Sequence, residues 1–283
     1  MKLVKTIDEM RAFRKATRKS GQRLGLVPTM GALHEGHLSL VRAAREKSDL
    51  VTVSIFVNPT QFGPNEDFAK YPRNLESDSA LLQREKVDVI FTPSVEDMYP
   101  ADAVTWVTVE GMSDRLCGKS RPGHFRGVTT VVSKLFHIIE PDVAFFGQKD
   151  AAQVAIIRRM VRDLNMPVAI EVCPIIRESD GLALSSRNAY LNPGERKSAL
   201  VLSRSLQRVQ KLFDEGKRDA ERLITAGKQE FAKEPAARLD YFEIVDPDSL
   251  EPISTILQRA LIAVAAFIGN TRLIDNILVD PQF

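Results

Sequence analysis

Two histidines stand three residues apart, where a strand pattern gives way to a helix pattern. The apolar run 24–27 ends in Pro28, a turn with Gly31 follows, and a helix pattern begins near His34 and contains His37. The first N–H groups of a helix lack intrahelical partners, and the helix dipole is positive at that end. This order of elements predicts an anion site, in which Gly31 lets a phosphate approach the backbone closely. The histidines share one helix face and are placed to donate hydrogen bonds to phosphate oxygens.

Two other interpretations of the histidine pair remain open. Zinc proteases place two histidines four residues apart and need a further ligand, whereas here Glu35 lies between histidines spaced by three. Only His124 and His137 remain among the histidines to complete a zinc site. A zinc centre is therefore disfavoured, and no metal site formed by the protein is predicted. Two ordinary surface histidines are the other alternative.

Length and composition indicate a globular protein without a membrane-spanning segment. The chain has 283 residues, of which 44% are hydrophobic, so it can bury a core in one large domain or two unequal ones. The formal net charge of +2 gives no indication of a nucleic-acid partner. Cys117 and Cys173 are far apart, which favours a reduced, intracellular protein. The first residues do not form a signal peptide, and the apolar run 260–269 is too short to span a bilayer. We expect a cytoplasmic protein with no membrane partner.

The first part of the chain alternates between strand and helix patterns. Thr6 and Glu9 fit a capping box at the start of the first helix. The run 50–57 shows little alternation, which is typical of a strand buried on both faces of a parallel sheet. Strands are predicted at about 23–28, 50–57, 87–92, 143–146 and 168–173, and helices near 34–47, 74–86, 127–140 and 150–164. This order predicts an α/β fold, a doubly wound parallel sheet of Rossmann-like type. The run 105–110 is predicted as a short strand or an insertion.

A smaller α+β domain is predicted after a polar segment at 174–194. We place the boundary at 175, which gives domains of residues 1–175 and 176–283. Asn192 and Glu195 can cap a helix that has Pro193 at its first position. A further helix is predicted near 218–232, and strands at 239–245, 259–267 and 272–279, the last two joined as a hairpin at Gly269-Asn270.

Polar clusters follow the predicted strands and should meet at one rim, because ligands bind beyond the carboxyl ends of strands in such a sheet. The clusters lie at 29–37, 58–62, 147–150 with Gln153, 176–177 and 184–187. Lys149 and Arg187 can bind polyphosphate charge, and the serine pair 185–186 can add hydroxyl donors. Gln61 and Gln153 can bind the hydroxyls and carboxylate of a small polar substrate. Each residue alone also has a simpler interpretation: Lys149 could form a surface ion pair with Asp150, and Ser185 and Ser186 could cap a helix or a turn.

Neither a P-loop nor a dinucleotide-binding fingerprint is present in the sequence. The stretch 28–37, PTMGALHEGH, instead resembles the HIGH-type signature of the nucleotidyltransferase superfamily. Further stretches resemble the pantothenate synthetase (pantoate–β-alanine ligase) family, in the order in which that family has them. They are FVNPTQF at 56–62, YPR at 71–73, HFRGV at 124–128, FFGQKD at 145–150 and DGLALSSRN at 180–188.

The resemblance implies an ATP-dependent synthesis of an amide in two steps. Pantoate attacks the α-phosphate of ATP to give pantoyl adenylate and pyrophosphate, and β-alanine then gives pantothenate and AMP. The implied ATP-binding residues are Met30, Gly31, Ala32, Leu33, His34, Glu35, Gly36, His37, Gly147, Gln148, Lys149, Asp150, Ile176, Leu184, Ser185, Ser186 and Arg187. Gln61 is implied for both pantoate and β-alanine, and Gln153 for pantoate. His37 is implied as proton donor, and His34, Lys149 and Arg187 join it as catalytic residues.

The resemblance also implies Mg2+ with the nucleotide, a homodimer, and a C-terminal domain that closes over the ATP site of the nucleotide- and pantoate-binding domain. Gln148 stands where many members have glutamate, and Leu184 where some have methionine, which leaves local ATP contacts open. Three other classes remain: another HIGH-type nucleotidyltransferase, an RNA-binding protein related to aminoacyl-tRNA synthetases, and a nucleotide-binding module without turnover. The near-neutral charge argues against the RNA-binding class.

Overall fold

A six-stranded parallel sheet forms the first part of the chain in the computed structural model, which describes residues 1–64 and 66–281. The order across the sheet is β1-β4-β3-β2-β5-β6, and every pairing is parallel. This confirms the predicted doubly wound α/β fold. The strands are β1 (Lys2–Val4), β2 (Leu24–Thr29), β3 (Leu50–Ile55), β4 (Val89–Phe91), β5 (Val143–Gly147) and β6 (Ala169–Cys173).

Helices connect these strands as the alternation predicts. The longer ones are α1 (Ile7–Lys19), α2 (Glu35–Lys47), α3 (Leu75–Arg84), α6 (His124–Ile139) and α7 (Ala151–Asp163), with short helices α4 (Val95–Met98) and α5 (Cys117–Ser120). Short 3-10 turns cover Pro59–Gln61, Asp67–Ala69 and Gln148–Asp150. The capping box of Thr6 and Glu9 is confirmed at the start of α1.

The central strands are buried on both faces, as the run 50–57 predicts. In β2, Leu24 and Leu26 pack into one hydrophobic cluster, whereas Val27 packs into another on the opposite face of the sheet. In β3, Val51 and Val53 belong to the second cluster. Because successive side chains of a strand alternate between faces, two clusters on one strand require cover on both sides.

The second part of the chain contains a separate three-stranded antiparallel sheet. Its strands are β7 (Ala237–Val245), β8 (Ala260–Ile268) and β9 (Thr271–Val279), and its helices are α8 (Pro193–Ser198), α9 (Val201–Asp214) and α10 (Ala220–Phe231). A 3-10 turn at Ser186–Tyr190 precedes α8. The predicted hairpin is confirmed, because Ile268 pairs with Thr271 across Gly269-Asn270. The cap of Asn192 and Glu195 on α8 is confirmed as well.

Several elements differ from the sequence-based expectation, among them the short helices α4 and α5, which no pattern predicts. Among the described residues, no strand pairs with the run 105–110. Val107 is instead bonded to helix α6: its N–H donates to the Thr130 hydroxyl at 3.0 Å, and its carbonyl accepts from the Thr129 hydroxyl at 2.6 Å. The insertion alternative therefore holds. Strand β1, only three residues long, and helix α9 have no counterpart among the predicted elements.

The two sheets are packed together rather than separated by a linker. Leu261 and Ala263 of β8 belong to the hydrophobic cluster that also contains Leu24 and Leu26, and Ile274 and Leu278 of β9 pack against it. The boundary at 175 therefore stays a prediction. The last two residues of the predicted range 176–283 lie outside the described residues. No helix in the described part of the chain is long and apolar enough to cross a membrane.

Candidate functional site

The candidate site lies where the order of the parallel sheet reverses. Strand β2 has β3 on one side and β5 on the other, so the chain winds outward in both directions from this pair. Such a switch point opens a crevice beyond the carboxyl ends of its strands. Strand β2 ends at Thr29 and leads to the histidine turn, and β5 ends at Gly147 and leads to Lys149. The topology therefore brings two of the predicted clusters to one place.

The histidine pair is held through one nitrogen of each ring. His34 is the N-cap of α2, and its Nδ1 accepts a hydrogen bond from the Gly36 N–H at 3.1 Å. The Nδ1 of His37 accepts from the His34 N–H at 3.4 Å, and the two ring centroids are 4.2 Å apart. Because each Nδ1 is an acceptor, the neutral form of each ring carries its proton at Nε2. The pair therefore offers two Nε2–H donors.

Both rings are neutral at physiological pH. Burial lowers the pKa of His34 to about 4, and the nearby Lys149 ammonium acts in the same direction. Burial also lowers the pKa of His37 to about 3, with further contributions from His34 and Lys149. The cationic charge at this rim therefore comes from Lys149 and from the guanidinium groups of Arg121 and Arg187, and the histidines act as neutral hydrogen-bond donors.

The turn before α2 is held from helix α3. Asp78 accepts hydrogen bonds from the N–H groups of Ala32 at 3.0 Å and Leu33 at 2.8 Å, and the Gly31 N–H donates to the Thr29 hydroxyl at 3.2 Å. Burial raises the pKa of the Asp78 carboxyl, although these backbone hydrogen bonds oppose the rise. The amides of residues 31–33 in this turn are therefore not free to bind phosphate, because each already has an internal acceptor.

Gln61 is fixed through both its side chain and its backbone. Its Oε1 accepts from Asn58 Nδ2 at 3.1 Å, and its Nε2 lies 3.0 Å from the Met30 sulfur. Its carbonyl oxygen accepts from Arg121 at 3.2 Å and from His124 Nδ1 at 2.9 Å. His124 Nε2 lies 3.0 Å from Arg121 Nη1, so a neutral ring protonated at Nδ1 satisfies both contacts. Burial lowers the pKa of His124 to about 4.

Lys149 lies in the 3-10 turn that follows β5. Its Nζ is 3.9 Å from Asp150 Oδ1, so the predicted ion pair is present only at long range. The turn is tied to strand β9, since Asn276 Nδ2 donates to the carbonyls of Gln148 at 3.0 Å and Lys149 at 2.9 Å. Gln148 Nε2 donates back to Asn276 Oδ1 at 3.3 Å. A residue of the second sheet therefore fixes the backbone that carries the lysine.

The Ser-Ser-Arg segment, residues 185–187, contacts the turn that precedes α2. The Ser186 hydroxyl donates to the Ala32 carbonyl at 3.2 Å. Ser185 is the N-cap of the next 3-10 turn, so the cap interpretation is confirmed for this residue. Arg187 forms two hydrogen bonds with the Asp67 carboxylate, at 3.0 and 2.9 Å. This pair orients the guanidinium, which lines the cavity between the sheets.

A cavity of about 240 Å³ collects most of the predicted residues. Those that line it are Met30, His34, Gly36, His37, Gln61, Gly147, Lys149, Asp150, Gln153, Ile176, Leu184, Ser185, Ser186 and Arg187. A larger cavity of about 1300 Å³ adjoins it between the two sheets and shares Gln61, Lys149, Gln153, Ser185 and Arg187. The first cavity is not lined by Gly31, Ala32, Leu33, Glu35 or Gln148. Glu35 is exposed and pairs with Arg42.

Sequence reasoning missed residues that orient the site through hydrogen bonds, and some of these also line its cavities. Asp78, Asp67 and Arg121 carry no local signal, since their partners lie far away along the chain. Asn276 had a signal, because Asp275 and Asn276 interrupt an apolar strand pattern. Both are almost completely buried, with exposed fractions of 2% and 3%. A buried polar pair of this kind requires hydrogen-bond partners.

The zinc interpretation of the histidine pair finds no support. Across residues 1–64 and 66–281, no group of three or more His, Cys, Asp or Glu side chains could hold a metal ion. The Nδ1 atoms of His34 and His37 are also occupied by backbone N–H donors. One nitrogen of each ring remains, which suits hydrogen bonding to a ligand.

The parallel sheet, its switch-point cavity and the HIGH-type turn define an α/β protein with a nucleotide-type ligand rim. A model of the pantoate–β-alanine ligase family matches residues 2–278. The chain therefore belongs to the pantoate–β-alanine ligase family.

Similar proteins agree with this placement over nearly the whole chain. A pantothenate synthetase of Koribacter versatilis is 62% identical over 279 residues, covering 99% of this chain and 96% of the relative. A crystal structure of pantothenate synthetase from Thermus thermophilus superposes with a TM-score of 0.94 at 46% identity, covering 99% and 100% of the two chains. A pantoate–β-alanine ligase from Francisella tularensis, crystallised with "beta-gamma ATP" and β-alanine, has a TM-score of 0.78 at 36% identity, covering 98% and 97%.

Proposed function

We propose that this chain condenses pantoate with β-alanine in an ATP-dependent reaction that passes through pantoyl adenylate and releases pyrophosphate and AMP. The observation that carries the proposal is the convergence of cationic lysine and arginine side chains, two neutral histidine donors and two glutamines on a single cavity. Membership of the family and the relative crystallised with a nucleotide and β-alanine support it.

The cavity offers a charged end and an apolar end. The polyphosphate of ATP would lie near His34, His37, Lys149 and the 184–187 segment, and pantoate near Gln61 and Gln153. The apolar wall suits the aliphatic body of pantoate, and it is formed by Leu40, Phe56, Val128, Val131, Val132 and Leu135. An amide side chain binds hydroxyl and carboxylate groups without adding charge, which suits Gln61 for a site shared by pantoate and β-alanine.

In the first step, a carboxylate oxygen of pantoate attacks the α-phosphorus, and the bond to the bridging oxygen of pyrophosphate breaks. The carboxylate is ionised at neutral pH, so this step needs no base. The difficulty is the approach of an anion to a polyanion and the charge that grows on the leaving group. The Nε2–H donors of His34 and His37, with Lys149 and Arg187, stabilise that charge. Losing one such donor typically costs about 3 kcal/mol, roughly a hundredfold in rate.

The electrostatics of His37 favour a hydrogen-bonding role over proton transfer. Burial and the adjacent positive charge lower its pKa to about 3, so the ring is neutral and holds one proton at Nε2. A neutral imidazole donates a hydrogen bond but keeps its proton. His37 therefore acts as a donor to phosphate oxygen rather than as an acid.

In the second step, the amine of β-alanine attacks the acyl carbon of the adenylate, and AMP leaves. The amine must be neutral to attack, and it loses a proton as the amide forms. We assign that proton to solvent or to the departing phosphate. Holding amine and acyl carbon together in a water-poor cavity then supplies much of the acceleration.

Mg2+ would enter with the nucleotide rather than bind a preformed cage. Asp150 is the one carboxylate among the described residues that line the smaller cavity. One carboxylate with phosphate oxygens and waters suits the way Mg2+ binds at nucleotide sites. Asp150 would help to hold the ion, which when bound neutralises phosphate charge.

The domain roles, the oligomeric state and the location of the protein complete the proposal. We assign residues 1–175 to a nucleotide- and pantoate-binding domain, and residues 176–283 to a domain that closes over the ATP site. A homodimer in the cytoplasm, without nucleic-acid or membrane partners, completes the proposal. These assignments are what the resemblance of the sequence to the family implies.

The decisive experiment separates the two steps. With pantoate and ATP but without β-alanine, the enzyme should exchange labelled pyrophosphate into ATP. His37→Ala and Lys149→Ala should fold normally and lose about a hundredfold of this exchange, whereas Lys228→Ala, an exposed lysine on α10, should retain it. Absence of exchange by the unmodified enzyme would refute adenylate formation. A nucleotide-containing product in place of free AMP would indicate another nucleotidyltransferase.

A further inference from the structure

A buried polar pair on strand β9 bridges the two halves of the candidate site. Asp275 and Asn276 follow Ile274 and precede Ile277, so they interrupt an apolar strand of the second sheet. Consecutive strand residues point to opposite faces, and each polar side chain finds its partners on its own face. Burying two such groups is costly unless their hydrogen bonds are made, so their contacts show what they do.

Asn276 faces the loop that carries the lysine. Its Nδ2 donates to the carbonyl oxygens of Gln148 at 3.0 Å and Lys149 at 2.9 Å, and its Oδ1 accepts from Gln148 Nε2 at 3.3 Å. Two of these hydrogen bonds fix the successive carbonyl groups of Gln148 and Lys149, and the third holds the Gln148 side chain. The side chain of Lys149 begins at that fixed backbone and reaches the cavity.

Asp275 faces the segment that carries Ile176 and Leu184. Its carboxylate forms two hydrogen bonds with Arg177, at 2.7 and 2.9 Å, and Arg177 also donates to the Gly181 carbonyl at 3.0 Å. The carboxylate also accepts from the N–H of Asn276 at 2.8 Å, which links the two members of the pair. Two successive residues of β9 therefore hold two loops of the cavity that are separate in the sequence.

We propose that Asn276 is a positioning residue for Lys149, through which the second sheet sets the geometry of adenylate formation. The inference rests on the proposed function, because it assigns Lys149 to the first step. In that step the lysine must meet charge on the departing pyrophosphate, and a displacement of about 1 Å can cost roughly a hundredfold in rate. In the second step AMP is the leaving group and no pyrophosphate is present. That step therefore does not depend on the placement of Lys149.

The test measures the two half-reactions separately in Asn276→Asp and Asn276→Ala. The aspartate has nearly the same shape but cannot donate to the two carbonyls, whereas alanine leaves them to water. Pyrophosphate exchange should fall about 10- to 100-fold in both variants, and the reaction of supplied pantoyl adenylate with β-alanine should stay within about threefold. Amide hydrogen exchange should rise in residues 147–152.

Val279→Ala is the matched control, since Val279 is a buried residue of the same strand that packs in the hydrophobic cluster formed by the second sheet with helices α9 and α10. It should lower the melting temperature and leave both half-reactions unchanged. The inference is overturned if exchange by the Asn276 variants stays within about threefold of the unmodified enzyme, or if both half-reactions fall equally. If the unmodified enzyme itself shows no exchange, the proposed function fails, and hydrogen exchange at 147–152 still tests the contact with Asn276.

Discussion

Acidification should destabilise this protein well above the range in which carboxylates titrate. Three histidines have depressed pKa values: about 4 for His34, about 3 for His37 and about 4 for His124, compared with an ordinary value of 6.5. Burial is the largest cause for each. In the unfolded chain these rings take up protons as the pH falls below 6.5, but in the folded protein they do not. Stability that is fully present above that pH is therefore lost between about 6.5 and 4.

The size of the effect follows from proton linkage. A difference of one bound proton changes the free energy of unfolding by about 1.4 kcal/mol per pH unit, so three histidines set an upper limit of about 4 kcal/mol per pH unit. The rings are partly exposed, and solvent screening reduces this figure. The raised pKa of Asp78 acts in the opposite direction for one carboxyl group. We expect a loss on the order of 2 kcal/mol between pH 6 and pH 5.

Urea unfolding between pH 6.5 and pH 5 measures this slope directly. His124→Gln removes one of the three titrating histidines, so the slope of the free energy of unfolding against pH should fall by about a third. Val279→Ala should lower the whole curve without changing its slope, because it removes only apolar packing. A free energy of unfolding that stays constant over this interval, or ring resonances of His34 and His37 that titrate near pH 6.5, would refute the electrostatic reasoning.

Two variants test the turn that carries the histidines. Asp78→Asn keeps one acceptor oxygen for the N–H groups of Ala32 and Leu33, so we expect a loss of about 1–3 kcal/mol in the free energy of unfolding and about tenfold slower pyrophosphate exchange; unchanged exchange would exclude a positioning role. Gly31 has a φ of +81°, and a Cβ atom added there would lie 2.9 Å from Asp78 Oδ2. Gly21 has a similar φ of +70°, but the space around it is open. Gly31→Ala should therefore be more destabilising than Gly21→Ala in chemical denaturation, and equal losses would show that backbone strain alone matters.

The sequence predicts most of the fold because its signals are local. Capping residues such as Thr6 and Asn192, the largely apolar run of β3 and the Gly269-Asn270 turn each specify an element within a few residues. The run 105–110 shows the limit of this reasoning. Its alternating pattern fits a strand, but Thr129 and Thr130 of a helix satisfy its backbone instead. Nothing within the run itself reveals that partner.

The residues that face the ligand can be predicted from the sequence, whereas the residues that orient them cannot. His34, His37 and Lys149 follow strand ends, and the strand order places them together at the switch point. Asp78 lies 46 residues from Ala32, and Asn276 lies 127 residues from Lys149. Such contacts exist only after the sheets have packed, so periodicity and spacing cannot predict them.

The arrangement has a consequence for how this rim binds anions. A helix N-terminus usually binds phosphate through free backbone N–H groups, but in α2 the Gly36 N–H donates to His34 Nδ1 and the His37 N–H donates to the His34 carbonyl. Thr29 and Asp78 occupy the amides of residues 31–33 in the preceding turn. The histidines use Nδ1 to complete the turn and keep Nε2–H for a ligand. Anion binding is thereby transferred from the backbone to side chains whose positions depend on α3 and β9. A substitution distant from the cavity can therefore change the rate of adenylate formation, whereas a conservative change of an exposed residue at the rim, such as Glu35→Gln, should not.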